Sequence, residues 1–263
     1  MEYKDIIKSA YYYDKNGMLL KGDCLEWMTK FPDKSIDMIL CDLPYGTTAC
    51  KWDIIIPLDK LWEQYNRIIK DNGAMCFTAT QPFTSVMVMS NINNFKYEWI
   101  WDKKKPVGWL LAKKQPMRQH ESVLVFYKKQ PTYNNQPYKK STLGHLSENI
   151  PTTFVETIGQ EKSYNGKGNK NEEGYARSII SEIPVLNNLG KDKSGFHPTQ
   201  KPVALFEYLI KTYTNENEII LDNTAGSCTT GVACKNTKRK YICIEQSQKY
   251  CDVSAKRLED TAG

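Results

Sequence analysis

At 263 residues, the chain has room for one large domain or for a core carrying an insertion. Its 40% hydrophobic, 11% aromatic and 25% charged residues are the make-up of a folded protein, not a disordered one. No run approaches the roughly 18 apolar residues of a membrane span. The opening MEYKDIIKSAYYYDKN has no apolar stretch followed by a small-residue cleavage site, so neither secretion nor a membrane location is expected.

The net charge of +6 is unevenly placed. Residues 101–140 hold ten Lys and Arg against Asp102 and Glu121, a local excess that leaves the remainder slightly acidic. Trp101, Trp109, Phe126, Tyr127, Tyr133 and Tyr138 interleave with these cations. Cations neutralise phosphates and aromatic rings stack on unpaired bases, so the segment has the make-up of a nucleic-acid-binding surface as well as of an ordinary solvated one. Eight cysteines stand at 24, 41, 50, 76, 228, 234, 243 and 251. None forms the Cys-x-x-Cys pair that zinc ribbons require. A reduced, cytoplasmic protein without a structural metal is expected.

In chain order, residues 17–21 (GMLLK) and 36–41 (IDMILC) read as buried strands, with a short helix, Leu25 to Lys30, between them. A helix is predicted over about 57–71: Pro57 suits its first turn, Leu58, Leu61, Trp62, Tyr65, Ile68 and Ile69 recur at helical spacing, and Gly73 closes it. AMCFTA (74–79) is a strand, PFTSVMVMSNI a helix, YEWIW a strand, and SVLVFY (122–127) another. From Lys128 to Phe196 the pattern breaks into Asn, Gly, Lys, Ser and Thr without a period, which predicts an irregular insertion. After Pro202 a helix face forms from Val203, Phe206, Leu209, Ile210 and Tyr213. EIILD (218–222) is a strand, 229–236 a helix, KYICIE (240–245) a strand and 247–258 a helix. Such alternation predicts an α/β fold, a mostly parallel sheet with helices on both faces.

Ligands in open α/β sheets bind beyond the carboxyl ends of strands. Three such ends carry polar residues: Asp42-Leu43-Pro44-Tyr45-Gly46, Asp222-Asn223-Thr224-Ala225-Gly226-Ser227, and Glu245-Gln246. Singly, each has a plain structural explanation, as a turn, a capped loop and a solvated strand end. Together they suit a nucleotide-like cofactor: small residues let the backbone approach, and a carboxylate after the next strand can accept both hydrogen bonds of a ribose diol. The loop is neither Gly-x-Gly-x-x-Gly nor a P-loop, so nothing is built for a pyrophosphate. The acidic residues suit a nucleoside carrying a cation, a description that S-adenosylmethionine fits.

These residues resemble the amino-methylating DNA methyltransferases in their β arrangement of motifs. Asp42-Leu43-Pro44-Tyr45 is similar to the family's Asp/Asn-Pro-Pro-Tyr catalytic motif, and Asp222 to Thr230 to its cofactor loop. His197-Pro198-Thr199-Gln200-Lys201-Pro202 matches the motif preceding that loop, Gly22-Asp23-Cys24-Leu25 a cofactor-adenine segment, and His120-Glu121 another family segment. The resemblance covers about 17–127 and 197–251. It implies a Rossmann-like methyltransferase core, 1–127 with 197–263, and an inserted target-recognition region, 128–196.

By the same resemblance, Asp42, the carbonyl of Leu43, Pro44 and Tyr45 are the catalytic group, with Tyr45 stacking on an extruded base. Asp23, His197, Thr199, Lys201, Asp222, Ala225, Gly226, Ser227 and Glu245 are implied to line the S-adenosylmethionine pocket, and no metal is implied. Two residues depart from the family pattern. Leu43 replaces a proline, keeping the carbonyl and losing only rigidity. Cys228 stands where a second glycine is usual, and is expected to narrow the loop or to lie at a helix N-terminus where glycine is unnecessary. The implied reaction is methyl transfer to adenine N6 of double-stranded DNA, since the family associates Asp with adenine and Ser with cytosine. N4-cytosine methylation is one alternative, and a nucleic-acid-binding module with an inactive pocket is another. Dimers occur in the family, so a homodimer stays open, and no face of the sequence is diagnostic of one.

Overall fold

The computed structural model describes residues 3–46, 54–139, 173–185 and 200–261. Two compact units divide the chain, one of residues 1–134 with 178–263 and one of residues 135–177. In the second, strands β7 (Tyr138–Lys139) and β8 (Glu173–Gly174) pair antiparallel.

The first unit is built on a nine-stranded sheet of order β1-β2-β11-β10-β3-β4-β6-β5-β9. Its strands are β1 (Tyr12–Asp14), β2 (Gly17–Lys21), β3 (Ile36–Cys41), β4 (Ile69–Ala79), β5 (Phe95–Val107), β6 (Arg118–Phe126), β9 (Ile179–Ile180), β10 (Ile219–Asp222) and β11 (Lys240–Glu245). From β2 through β11, β10 and β3 to β4 every pairing is parallel. β4 and β5 then each pair antiparallel with β6. Ile179–Ile180 joins β5, so part of the range assigned from sequence to the insertion completes the core sheet.

Helices α1 (Tyr3–Ile7), α2 (Cys24–Met28), α3 (Leu58–Ile68), α4 (Phe83–Ser90), α5 (Val203–Tyr213), α6 (Thr229–Asn236) and α7 (Gln248–Asp260) accompany the sheet. One hydrophobic cluster joins Met28 of α2, Leu61, Trp62, Tyr65 and Ile68 of α3, and Phe83 and Met87 of α4 to Ile39, Cys41, Phe77 and Phe126 of the sheet. Strand side chains alternate between faces, which puts Met38 and Leu40, buried but outside this cluster, toward α5. The aromatic rings set the tight packing: Trp62 meets Tyr65, Phe77 and Phe126 at centroid distances of 5.1–5.8 Å. Each such ring, fully buried, contributes roughly 1.5–3 kcal/mol.

Several element ends differ from the sequence reading, the strand YEWIW extending over Phe95–Val107, and one difference changes the type of element. The helix expected over 57–71 ends at Ile68, and Ile69 already belongs to β4. Gly73 does not close the helix; it lies inside the strand, where a Cβ would come within 2.8 Å of the Ile69 side chain and the Asp37 carbonyl. Its role is close approach rather than capping. Among the described residues no helix is long and apolar enough to cross a membrane.

The parallel core fixes where chemistry can occur. β10 runs on through α6 to β11 on one side, while β3 leads to β4 on the other, so the strand order switches direction between β10 and β3. The carboxyl ends of β3, β10, β11 and β2 therefore share one edge, and a crevice opens at the switch point.

Candidate active site

Asp42 follows the last residue of β3, and the chain then runs through Leu43 and Pro44 to Tyr45. The Tyr45 hydroxyl donates to Asp42 Oδ1 at 2.7 Å, and the Thr78 hydroxyl, from the end of β4, donates to the same oxygen. Lys201 Nζ lies 2.7 Å from Asp42 Oδ2. Thr224 Oγ1 donates to the Asp42 carbonyl at 3.2 Å, tying this loop to the loop after β10. The Asp42 side chain remains 24% exposed, so the carboxylate is held but reachable. Leu43 turns inward and is buried in the core, where its side chain gains more burial than proline offers.

The Tyr45 ring stacks on Phe83 with centroids 5.2 Å apart. Burial pushes its hydroxyl pKa well up, and the neighbouring Asp42 charge adds to this, so the phenol is a hydrogen-bond donor over the ordinary pH range. Burial opposes the charge on Lys201, but Asp42, Tyr45 and Glu121 outweigh it and raise its pKa above the usual lysine value. Lys201 is therefore an ammonium. Glu121, on β6, completes the group: its Oε2 lies 3.4 Å from Lys201 Nζ and its Oε1 accepts from Lys103 Nζ at 2.9 Å.

Beside this group runs the loop after β10. Asp222 is buried, its Oδ1 accepting from the Thr224 N–H at 3.1 Å and its Oδ2 from the Thr230 hydroxyl. Burial pushes its pKa up to about 7, against the lowering effect of those two donors. Glu245 accepts from Gly226 N at 2.9 Å and from Ser247 N at 2.7 Å, a pair of bonds that sets the loop at Gly226, whose φ is +53°. Burial nevertheless raises the Glu245 pKa. Ser227 Oγ donates to Gln200 Oε1 at 3.1 Å. Asp23 caps α2 by accepting from Glu26 N at 3.1 Å, and still faces the cavity.

Asp42, Tyr45, Lys201, Asp222, Gly226 and Glu245 line one cavity of about 940 Å³. Leu43, Pro44, Asp23, Ala225 and Ser227 line it as well. His197 and Thr199 lie outside the described residues. Three contributors were absent from the sequence-derived site: Thr78, Lys103 and Phe83. Thr78 read only as a strand residue, Lys103 as one cation of the basic segment 101–140 and Phe83 as part of a helix, and no local pattern marks them as site residues. Glu121 stood in a recognised segment without an assigned part.

One expectation about the departures is corrected. Cys228 sits at the start of α6 with φ 60° and ψ 43°, the left-handed region that glycine adopts freely and other residues pay for. Glycine is conformationally favoured there, and the helix start does not remove that preference. What cysteine adds is a fully buried thiol.

A family model described as DNA methylase, the N6/N4 methyltransferases, matches residues 36–256. The chain belongs to this N6/N4 DNA methylase family. It is 27% identical to the type II methyltransferase M2.MboI of Moraxella bovis over 94% of this chain and 89% of that one. It is 26% identical to the DNA adenine methyltransferase YhdJ of Escherichia coli K12, over 92% and 82% of the two chains. Among solved structures, the PvuII cytosine-N4 DNA methyltransferase shares the fold with a TM-score of 0.68 at 17% identity, over 95% of this chain and 89% of that one. The complex of M1.HpyAVI with S-adenosylmethionine gives a TM-score of 0.61 at 25% identity, over 92% of this chain and all of that one.

S-adenosylmethionine is the cofactor of this DNA methylase, and the residues fit it. Asn223 Nδ2 is a buried donor without a hydrogen-bond partner among the described residues, in the wall of the cavity. Next to it, Ala225, Gly226 and Ser227 leave the backbone open to close approach. Asp23, Asp222 and Glu245 supply the acidic surroundings that a sulfonium-bearing nucleoside calls for.

Proposed function

We propose that this methylase modifies the exocyclic N6 of an adenine flipped out of double-stranded DNA. The single observation that carries the reading is Asp42: a reachable carboxylate at the end of β3, oriented by Tyr45 and Thr78 and opening on the cofactor cavity. Aspartate at this motif position favours adenine, and the similarity to an enzyme named as an adenine methyltransferase supports the same choice.

An exocyclic amino nitrogen is a weak nucleophile because its lone pair delocalises into the ring. Asp42 and the carbonyl of Leu43 accept its two hydrogens, draw them out of the ring plane and localise the lone pair. Bound in the cavity beside Asp23, Gly226 and Glu245, S-adenosylmethionine supplies an electrophilic methyl group on a sulfonium. The rate gain is mostly positioning, with electrostatic support as the nitrogen gains positive charge. Extruding the base costs roughly a few kcal/mol, and the Tyr45 ring, braced by Phe83, offers the stacking surface that offsets part of it.

The DNA surface of this reading includes the turn between β5 and β6. Trp109 and Leu110 are 75% and 77% exposed, and Lys104, Lys105, Lys113 and Lys114 surround them in sequence without an intervening acid. Within the inserted range 128–196, the unit 135–177 is assigned to base reading, through side chains that pair with base edges in the major groove. The protein acts as a cytoplasmic enzyme on this reading.

The test uses purified protein, unmethylated bacterial DNA and S-adenosylmethionine labelled in its methyl group, with digestion to nucleosides and mass spectrometry. Label in N6-methyladenine is the expected result. Label in N4-methylcytosine keeps the chemistry and overturns the base assignment. Cofactor binding without label in either base, on DNA of diverse sequence, overturns the reading as a whole.

A further inference from the structure

Asp42 already makes three charged or hydroxyl contacts through its carboxylate before any base arrives. Oδ1 holds two hydroxyls, and Oδ2 holds the Lys201 ammonium at 2.7 Å. An amino group that bonds with Oδ2 competes with Lys201 for that oxygen, and an ammonium that loosens from Asp42 in a buried setting needs another counter-charge. The structure supplies one at Glu121. Its Oε2 lies 3.4 Å from Lys201 Nζ, too long for a good charged hydrogen bond. The same oxygen is buried and accepts no hydrogen bond among the described residues. Its partner oxygen is fixed by Lys103 at 2.9 Å. The side chains of Lys103, Glu121 and Lys201 are 8%, 13% and 9% exposed, so water does little to replace a lost partner.

We propose that Glu121 is a second seat for the Lys201 ammonium, which moves from Asp42 to Glu121 when the target amino group enters. The required displacement is about 0.6 Å, from 3.4 Å to the roughly 2.8 Å of a charge-assisted bond. Lys103 keeps Glu121 from following the ammonium, so the shift weakens the Lys201 bond to Asp42 Oδ2 in favour of the entering amino group rather than dragging the network with it. It also draws a positive charge away from the nitrogen that becomes cationic during transfer. Glu121 is thus a positioning residue, acting through Lys201. The inference rests on the role proposed above for Asp42.

The test is a double-mutant cycle read by kcat at saturating DNA and cofactor, with the S-adenosylmethionine Kd measured by calorimetry. Glu121→Gln removes the counter-charge and keeps the shape. It is expected to lower kcat at least tenfold while the cofactor Kd changes less than twofold. Adding Lys201→Met removes the ion that competes for Asp42 Oδ2, so the double variant is expected to turn over faster than Glu121→Gln alone, a suppression that damage to packing does not produce. A Glu121→Gln enzyme with kcat within twofold of wild type overturns the second seat, as does a double variant no faster than the single. If Glu121→Gln does not fold, Glu121→Asp keeps the charge opposite Lys103 and shortens the reach to Lys201. Its kcat is then expected to fall at least threefold, and a wild-type value overturns the proposal. Asp42→Ala is run alongside: transfer surviving in that variant removes the Asp42 reading itself, whereas its loss beside a neutral Glu121→Gln removes only the seat.

Discussion

Asp42 and Asp222 stand at the ends of two neighbouring parallel strands, β3 and β10, and line the same cavity. Their surroundings are nonetheless opposite. Asp42 is partly open and faces a lysine and two hydroxyls. Asp222 is 3% exposed and has, among the described residues, an amide and a hydroxyl for partners, with burial pushing its pKa up to about 7. A carboxylate meant to meet substrate needs a cation and a route to it. One meant to hold a loop needs donors from the loop and helix it joins. Position on the sheet edge makes both carboxylates available, and the partners recruited from elsewhere in the chain decide which is placed for the proposed chemistry.

The largest expected effect breaks this comparison on the Asp42 side. Asp42→Ala is expected to lower methyl transfer by about 10²- to 10³-fold, the scale of losing one preorganised electrostatic contact to the reacting group. Binding of S-adenosylmethionine, measured by calorimetry, is expected to survive. A variant that fails in cofactor binding instead would make Asp42 a pocket residue and not an acceptor. Next in size, Tyr45→Ala removes the stacking surface, worth about 1–3 kcal/mol for one base. Tyr45→Phe keeps the ring and removes only the hydroxyl, with its bonds to Asp42 and Thr78, and it is expected to fall between the Ala variant and wild type in single-turnover rate. Equal losses in Phe and Ala would assign the whole effect to the hydroxyl.

The Asp222 side is sharpened by pH. Its folded pKa of about 7 lies above its ordinary 3.8, so in that interval the folded protein binds the proton more tightly than the unfolded chain does. The stabilisation from this group is complete below about 3.8 and is lost as pH rises through about 7, with a slope of up to about 1.4 kcal/mol per pH unit. Asp222→Asn is expected to flatten that slope. Denaturant melts of both proteins across the interval check it, and parallel curves would show that Asp222 is already ionised in the fold.

The sequence made one half of this comparison plainer than the other. The strands ending at Cys41, Asp222 and Glu245 follow from apolar runs and the helix Val203–Tyr213 from periodicity, because a buried parallel strand or an amphipathic helix writes itself into neighbouring residues. Ile69 was misread because a branched apolar residue satisfies the period of α3 and also begins β4, with no loop between them. The antiparallel pairing of β5 with β6 is invisible in composition, since the buried part of β6 is as apolar as any parallel strand. At the site, Asp42 and Lys201 both sit in recognisable motifs, but they are 159 positions apart. Their ion pair, and the parts of Thr78, Glu121 and Lys103, exist only once the sheet is assembled.

The smallest expected effect concerns Cys228, which follows the loop that Asp222 holds. Its φ of 60° costs a non-glycine residue roughly 1–2 kcal/mol, which Cys228→Gly would recover. The same substitution deletes a buried thiol that fills space against Gly231, where a Cβ would lie 2.6 Å from Cys228 Sγ. Losing that packing costs a comparable amount, about 1 kcal/mol. The two changes oppose each other, so Cys228→Gly is expected to stay within about 1 kcal/mol of wild type in denaturant unfolding. Cys228→Val removes the balance: a β-branched side chain in the left-handed region keeps the strain and adds crowding, for a loss above about 2 kcal/mol. If glycine instead stabilised by the full strain energy, the sulfur would contribute nothing to packing, and the departure from glycine would be a pure cost carried by this loop.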